Sequence, residues 1–484
     1  MANQEVGYAL SSNDFLVYLD GMPTIKINDM VVSESGLRGW VNAIYSDKVE
    51  VLLLDRGTVT PGQLFHRTNQ NLSILLGNYL IGRVINPLGI PIDGKRMSMD
   101  ASGENRFELD REAPNIPLRK FITEQFVTGV TLVDTLIPIA KGQRQLVVGD
   151  AHSGKSTFLI DLIVNQSLNN NNTVCIYTCI GKPVAQVRSI MNILESTGAL
   201  KSTVVIATSA SDLPPLIYIA PQTAFSIAEF FQKNGKDVLL ILDDMGVHAK
   251  IYREISLSSN RSPGRESYPG DIFYQHSHLV ERGGNFKIEN GGGSITVLPV
   301  LELSSSDISG YISTNLVGMT DGHLMFRSTM RGQGQTPAID ISISVSRVGR
   351  QTQNRIQNVL SQAVRALLAE AEELETVSYF SGELPRETVL KLKRKQIIME
   401  LIKQESLTSI PLPVQIFLLG LIFTNFFIEN DLSFAARNKL VLIDMAKKDP
   451  NLGAFTEKLM ELKTLEELIK TLEQTIPQLK QICK

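Results

Sequence analysis

Cysteine is scarce: Cys175, Cys179 and Cys483 are the only three in 484 residues. Three thiols cannot staple a chain of this length, so a disulfide framework is excluded and a reducing compartment fits. Cys175 and Cys179 have no second Cys or His pair near them, and no zinc site is expected. An excess of positive charge is missing too. The 47 Lys and Arg stand against 50 Asp and Glu, for a formal net charge of −3. Neither a basic nucleic-acid-binding domain nor a polybasic membrane-surface protein is expected. Met1-Ala2-Asn3-Gln4-Glu5 has no basic and no apolar stretch, so no signal peptide is expected. Also lacking is the apolar run of roughly 20 residues that crossing a bilayer requires. The nearest approach, 406–428, is uncharged, but Pro411 and Pro413 break its start. Gln415, Gly420, Thr424 and Asn425 interrupt the rest, so a buried core helix is expected there.

What is present is ordinary globular composition, 43% apolar and 20% charged, with length for roughly three domains. Residues 1–77 read as a small β-barrel. Short runs such as Phe15 to Leu19 and Val49 to Leu54 lie between turn signals such as Asp20-Gly21 and Pro61-Gly62. From 78 to 351, buried-type strands alternate with helical stretches. The strands are Gln145 to Val148, Thr173 to Ile180, Thr203 to Thr208, Val238 to Leu242 and Ser294 to Pro299. That alternation implies βαβ units and a mostly parallel sheet. From 352 to 484 the chain reads as helical. Ile356, Val359, Leu360, Ala363, Val364 and Leu367 recur at three-and-four spacing, as do Phe455, Leu459, Leu462, Leu465, Leu468 and Leu472, with Pro477 ending the last pattern. The expected fold is multidomain α/β: an N-terminal barrel, a central P-loop NTPase domain and a helical C-terminal domain. Asn169 to Asn172 reads as a surface turn.

Gly149-Asp150-Ala151-His152-Ser153-Gly154-Lys155-Ser156 fits the spacing G-x-x-x-x-G-K-[ST]. A strand before it and an apolar helix after it give the pattern its proper context. Glycines let backbone N–H groups curl around phosphate oxygens, and the helix start adds positive potential. Lys155 is expected on the β- and γ-phosphates, and Ser156 on Mg²⁺. Thr157 completes the loop. Val238 to Leu242 carries Asp243 and Asp244 at its end, which places Asp243 near Mg²⁺ and its waters. The bland alternative is that the two acids cap the next helix. One part is absent. Hydrolysis needs a base or a water-positioning group, yet Thr173 to Ile180 runs into Gly181-Lys182-Pro183, and no acid lies between Asp161 and Glu195. The residues describe a chain that binds Mg-nucleotide and turns it over poorly.

Over nearly its whole length the sequence resembles the α subunit of the F-type rotary ATP synthase. The resemblance rests on Gly82 to Gly89 with Ile92 to Lys95, Asp134 to Gly142, the Gly149-Asp150 opening, Pro263 to Asp271, Gly291 to Ser294, Thr320-Asp321-Gly322 and Ser344 to Gly349. It implies a barrel crown, a RecA-like core and a helical end. It implies an ATP- or ADP-binding, non-catalytic chain alternating with catalytic β-type subunits in a six-membered ring around a central γ-type stalk. It gives Arg347 the role of an arginine finger acting on the neighbouring catalytic site. It also implies a cytoplasmic place on the inner face of a bacterial membrane, with no membrane span and no nucleic-acid partner.

The sequence departs from that family's pattern in several places. The barrel reads as starting close to Met1, so the family's usual N-terminal helix, which meets the peripheral stalk, is not expected. Lys182 stands in a shortened loop where the family has Gln. Ala151-His152-Ser153 replaces Arg-Gln-Thr, and Thr336 replaces the Arg before Pro337. Gln404 remains of two Gln expected near adenine. Gly310, Ser313 and Gly318 replace Ala, Pro and Ser. These changes leave two alternatives: an F-type-like motor put to another use, or a ring spacer that has lost nucleotide. A self-sufficient secretion-type ATPase would need a Glu near Lys182. An RNA-tracking motor would need a basic, aromatic path in the barrel.

Overall fold

The computed structural model describes residues 5–96, 106–169, 172–304, 307–378 and 385–483. Six short strands begin it: β1 (Val6–Asn13), β2 (Leu16–Asp20), β3 (Asp29–Ser33), β4 (Arg38–Ile44), β5 (Val49–Leu53) and β6 (Leu64–Asn71). They pair antiparallel in the order β1-β2-β5-β4-β3-β6, and Val6 opposite His66 closes the barrel. Alternating apolar residues explain the closure: Val17, Leu19, Val31, Val41, Val51 and Phe65 meet in one buried core. Glu50 is also wholly buried. A buried carboxylate needs donors; Asn42 Nδ2 at 2.6 Å, Ser259 Oγ at 3.0 Å and Tyr45 OH at 3.2 Å supply them. Trp40 stacks on Tyr218 with 6.0 Å between ring centroids.

The chain forms two compact units. The first comprises Met1–Phe121, Gly142–Val147 and Gln166–Thr320; the second comprises Ile122–Lys141, Val148–Asn165 and Asp321–Lys484. Beyond the barrel, the first unit holds parallel strands in the order Val84–Ile85, Thr203–Ser209, Thr173–Lys182, Asp237–Asp243 and Ser294–Leu303. Val204, Val205, Ile206 and Val238 to Leu242 are buried almost completely. Such unbroken apolar runs are what a parallel sheet covered on both faces requires. The helix Pro214–Lys233 packs against the strands Thr173–Lys182 and Asp237–Asp243.

The second unit is mainly helical, with Arg355–Ser378, Arg386–Ile402, Leu412–Gly420 and Leu432–Lys448 among its longer elements. Ile356, Leu360, Val364 and Leu367 are buried, as the spacing implies. Leu412–Gly420 is buried from Val414 onward. Among the described residues no helix is long and apolar enough to cross a membrane. Asp134 ties this unit together: it accepts from Thr128 N at 2.7 Å, Thr128 Oγ1 at 2.7 Å, Gly129 N at 2.9 Å and Gln415 Nε2 at 2.9 Å.

The last apolar pattern is not one helix. Pro450–Leu459 and Leu465–Glu473 are separate, because Thr464 and Glu467 form a capping box that starts the second. Pro477 sits in the first turn of a further helix, Ile476–Ile482, where its missing N–H costs nothing. Of the Asn169–Asn172 turn, Asn170 and Asn171 lie outside the described residues. Barrel, α/β centre and helical C-terminal region stand as the sequence implies.

Candidate functional site

The phosphate-type loop belongs to the second unit. Gly149 has φ +156° and a Cβ there would lie 2.1 Å from the Phe326 carbonyl oxygen, so only glycine fits. His152 adopts φ +57° at the exposed crest beside Ala151. Ser153 is buried and its Oγ donates to the Asp150 carbonyl at 2.7 Å. Asp150 Oδ2 accepts from Ser328 N and Oγ, both at 3.0 Å, which anchors the loop. Gly154, with φ +99°, leads into the helix Lys155–Asn169. Lys155 Nζ donates to the carbonyls of Gly149 at 2.9 Å and Asp150 at 2.5 Å. Ser156 and Thr157 are exposed on the helix's first turn. The arrangement puts an ammonium and a helix N-terminus at one loop, the chemistry that holds a polyphosphate.

Beside the loop is a cleft of about 590 Å³, counting the solvent at its mouth. Ser153, Gly154, Thr157, Asp161, Thr336 and Gln404 are among its lining residues. Gln404 touches the cleft, but its carboxamide is engaged on protein. Its Oε1 accepts from Thr131 N at 3.1 Å, and its Nε2 donates to Gly129 O at 2.7 Å and to Thr408 O. Its own N–H donates to Thr336 O at 2.7 Å. Asp161 accepts from Leu407 N at 2.8 Å, and burial pushes its carboxyl up to about 6. Asp161 escaped the sequence reading, although Gly154, Thr157, Phe158 and Asp161 follow the three-and-four spacing of one helix face.

The acidic strand end belongs to the first unit. Asp243 lies opposite Cys179 in the parallel register. Its Oδ1 is 2.7 Å from Lys182 Nζ, and its Oδ2 accepts from Tyr177 OH at 2.6 Å. The Asp243 side chain is 3% exposed and that of Lys182 17%. Tyr177 was legible only indirectly, as a polar tip in a buried strand that must find a partner. Asp244 has the capping role: its Oδ1 accepts from Gly246 N at 2.6 Å at the start of Met245–Ser258. Its Oδ2 accepts from Glu302 N at 3.2 Å, and burial with the neighbouring Asp243 charge pushes Asp244 up to about 6. For Mg²⁺, Ser156 presents an exposed hydroxyl. At Asp243 each carboxylate oxygen already meets one protein donor, Lys182 Nζ or Tyr177 OH. No cluster of three His, Cys, Asp or Glu suited to a metal occurs among the described residues.

Arg347, in the second unit, is exposed and has no ion pair or side-chain hydrogen bond among the described residues. Its backbone is held firmly. Arg347 N donates to Asp321 O at 3.0 Å, and Ser346 Oγ donates to Pro138 O at 2.6 Å. A Cβ on Gly349 would lie 1.7 Å from that same carbonyl oxygen. Arg347 does not line the cleft.

Residues 129–346 match the model of the ATP synthase alpha/beta family, nucleotide-binding domain. The ATP synthase subunit alpha of Mesomycoplasma hyopneumoniae strain 7448 is 40% identical over 424 residues, 87% of this chain and 83% of that protein. The ATP synthase subunit alpha 1 of Mycoplasmopsis pulmonis is 37% identical over 464 residues, 96% of this chain and 86% of that protein. The subunit alpha of Caldanaerobacter subterraneus subsp. tengcongensis is 39% identical over 402 residues, 83% of this chain and 78% of that protein. Relatedness at that level, over most of the chain, means that this chain belongs to the ATP synthase alpha subunit family.

Proposed function

We propose that the chain is the nucleotide-binding, non-catalytic α-type subunit of an F-type ring ATPase. ATP or ADP sits with its phosphates on Gly149 to Thr157 and its base in the cleft bordered by Thr336 and Gln404. Lys155 leaves its loop carbonyls to pair with the phosphate oxygens, and the first N–H groups of Lys155–Asn169 donate to them. Asp161, Thr336 and backbone groups present the cleft's polar surface to the base.

The observation that carries the non-catalytic reading is Lys182 on Asp243. A water-activating residue must accept a proton, and an ammonium paired with a carboxylate has no lone pair for it. Asp243, clasped by Lys182 and Tyr177, is likewise unavailable. The chain then serves turnover elsewhere. Arg347, exposed on a rigid segment, reaches the γ-phosphate in a neighbouring β-type subunit and neutralises charge as the phosphoryl group transfers. The partners are β-type subunits in an alternating ring and a central γ-type stalk, in the cytoplasm at the inner face of a bacterial membrane.

The test is purification of the native complex through a tag on this chain, with every subunit identified by mass spectrometry. A P-loop β-type partner and a stalk subunit are expected. Membrane rotor subunits in addition establish a synthase. The same partner with unrelated proteins and no rotor indicates a motor put to another use. No P-loop partner overturns the proposal.

A further inference from the structure

The cleft lies wholly within the second unit, and Arg331 is the one Lys or Arg among its lining residues. The fold carries that guanidinium to the phosphate loop. The short helix Ser328–Gly332 is pinned at its start, where Asp150 Oδ2 of the loop accepts from Ser328 N and Oγ, both at 3.0 Å. Arg331 stands three residues on, hence on the same helix face as Ser328. From there it reaches the loop itself: a Cβ on Gly154 would lie 3.0 Å from Arg331 Nη1. The bare backbone of Gly154, at φ +99°, is what gives the guanidinium room. Arg331 is exposed, and among the described residues its side chain has no ion pair and no hydrogen bond. A planar fork of N–H donors thus stands unused beside the phosphate loop.

We infer that Arg331 is a second phosphate-binding cation of this loop, acting beside Lys155 of the same chain. The inference rests on the nucleotide-binding reading above and deepens it. Lys155 Nζ is a point charge, buried against the carbonyls of Gly149 and Asp150. Arg331 adds a fork that takes two phosphate oxygens at once. The cleft's acid is set apart from it. Asp161 lies six residues beyond Lys155 on the helix Lys155–Asn169, roughly 9 Å away at about 1.5 Å per residue. Charge in the cleft therefore runs from guanidinium at the loop to carboxylate further along. That polarity sets a nucleotide with its phosphates at Gly154 and Arg331 and its base towards Asp161. The Ser156 hydroxyl, exposed on the helix's first turn, stays open to Mg²⁺.

The experiment is isothermal titration of the full-length chain with ATP in excess Mg²⁺, at low and at high KCl. Arg331→Gln is expected to weaken binding by about tenfold or more at low salt, the scale of one charge-assisted hydrogen bond. The gap is expected to narrow at high salt, where exposed charges are screened. Arg331→Lys keeps the charge without the fork and is expected to fall between wild type and Arg331→Gln. The side chain is exposed and bonds to no described residue, so both variants are expected to unfold in urea as wild type does. A loss below about threefold in Arg331→Gln at low salt overturns this inference and leaves the nucleotide-binding reading intact. So does a loss that salt does not narrow and Arg331→Lys does not relieve, because the side chain would then be packing on the base instead of pairing with phosphate. Wild type that binds no ATP at either salt overturns the nucleotide-binding reading, and this inference with it.

Discussion

Gln404 offers the sharpest separation between two roles that look alike in sequence. The structure assigns its carboxamide to protein, as a clasp between the segment Gly129–Thr131 and the turn at Thr408. Gln404→Ala removes three hydrogen bonds to backbone groups: Thr131 N, Gly129 O and Thr408 O. At about 1 kcal/mol each the loss is about 3 kcal/mol, and more if the buried partners find no water. Gln404 is itself only 9% exposed, so replacement by water is limited. The readout is hydrogen–deuterium exchange by mass spectrometry on peptides covering residues 127–136. A loss of about 3 kcal/mol speeds local opening by roughly a hundredfold, at about 1.4 kcal/mol per factor of ten. ATP affinity should fall only indirectly, by less than the exchange rates rise. A mutant with unchanged exchange but strongly reduced ATP affinity would show that Gln404 reads the base, and would refute the clasp.

Two further outcomes follow from named groups. Arg347→Ala should leave ring assembly intact and lower steady-state turnover of the complex by roughly 10³- to 10⁵-fold, the range for an arginine finger; near-normal turnover in the assembled mutant sinks the role. Asp161 has its pKa raised by burial, so the folded chain holds that proton more tightly than the unfolded one. Its ionised form therefore costs stability above about pH 6, and the cost fades as pH falls towards the ordinary carboxylate range. Asp161→Asn, which keeps an acceptor for Leu407 N, should be more stable than wild type near neutral pH and equal to it in acid. Urea unfolding at both pH values checks this, and a pH-independent difference counts against it.

Much of this protein is local and hence readable. The phosphate loop is one unbroken stretch from Gly149 to Ser156, and its two glycines occupy conformations that their spacing foretells. The barrel strands are short alternating runs, each ended by a turn. The absence of an acid after Thr173 to Ile180 is equally visible. What Lys182 does in place of that acid is not visible. It reaches Asp243 because the strands Thr173–Lys182 and Asp237–Asp243 are neighbours in register, and strand order is a long-range property. Gln404 is harder still, since its donor partner Thr131 lies 273 residues away. The family resemblance implied a base-contacting amide, and only tertiary packing reveals how fully that amide is occupied. The C-terminal repeat of leucines failed differently: its periodicity continued through a turn, and the local capping chemistry of Thr464 and Glu467 decided the break.

Trp40 is the chain's one tryptophan, and it lies in the barrel, stacked on Tyr218 within the first unit. Intrinsic indole fluorescence is therefore a one-sided witness. It follows the environment of the barrel and the ring beneath it. Lys155, the cleft and Arg347 belong to the second unit, which contributes no indole signal of its own. A denaturation curve recorded at tryptophan wavelengths can look single-stepped while that whole unit goes unobserved. Replacing Phe158, whose ring lies 5.5 Å from that of Phe326 beside the loop, with tryptophan would give the second unit its own optical voice.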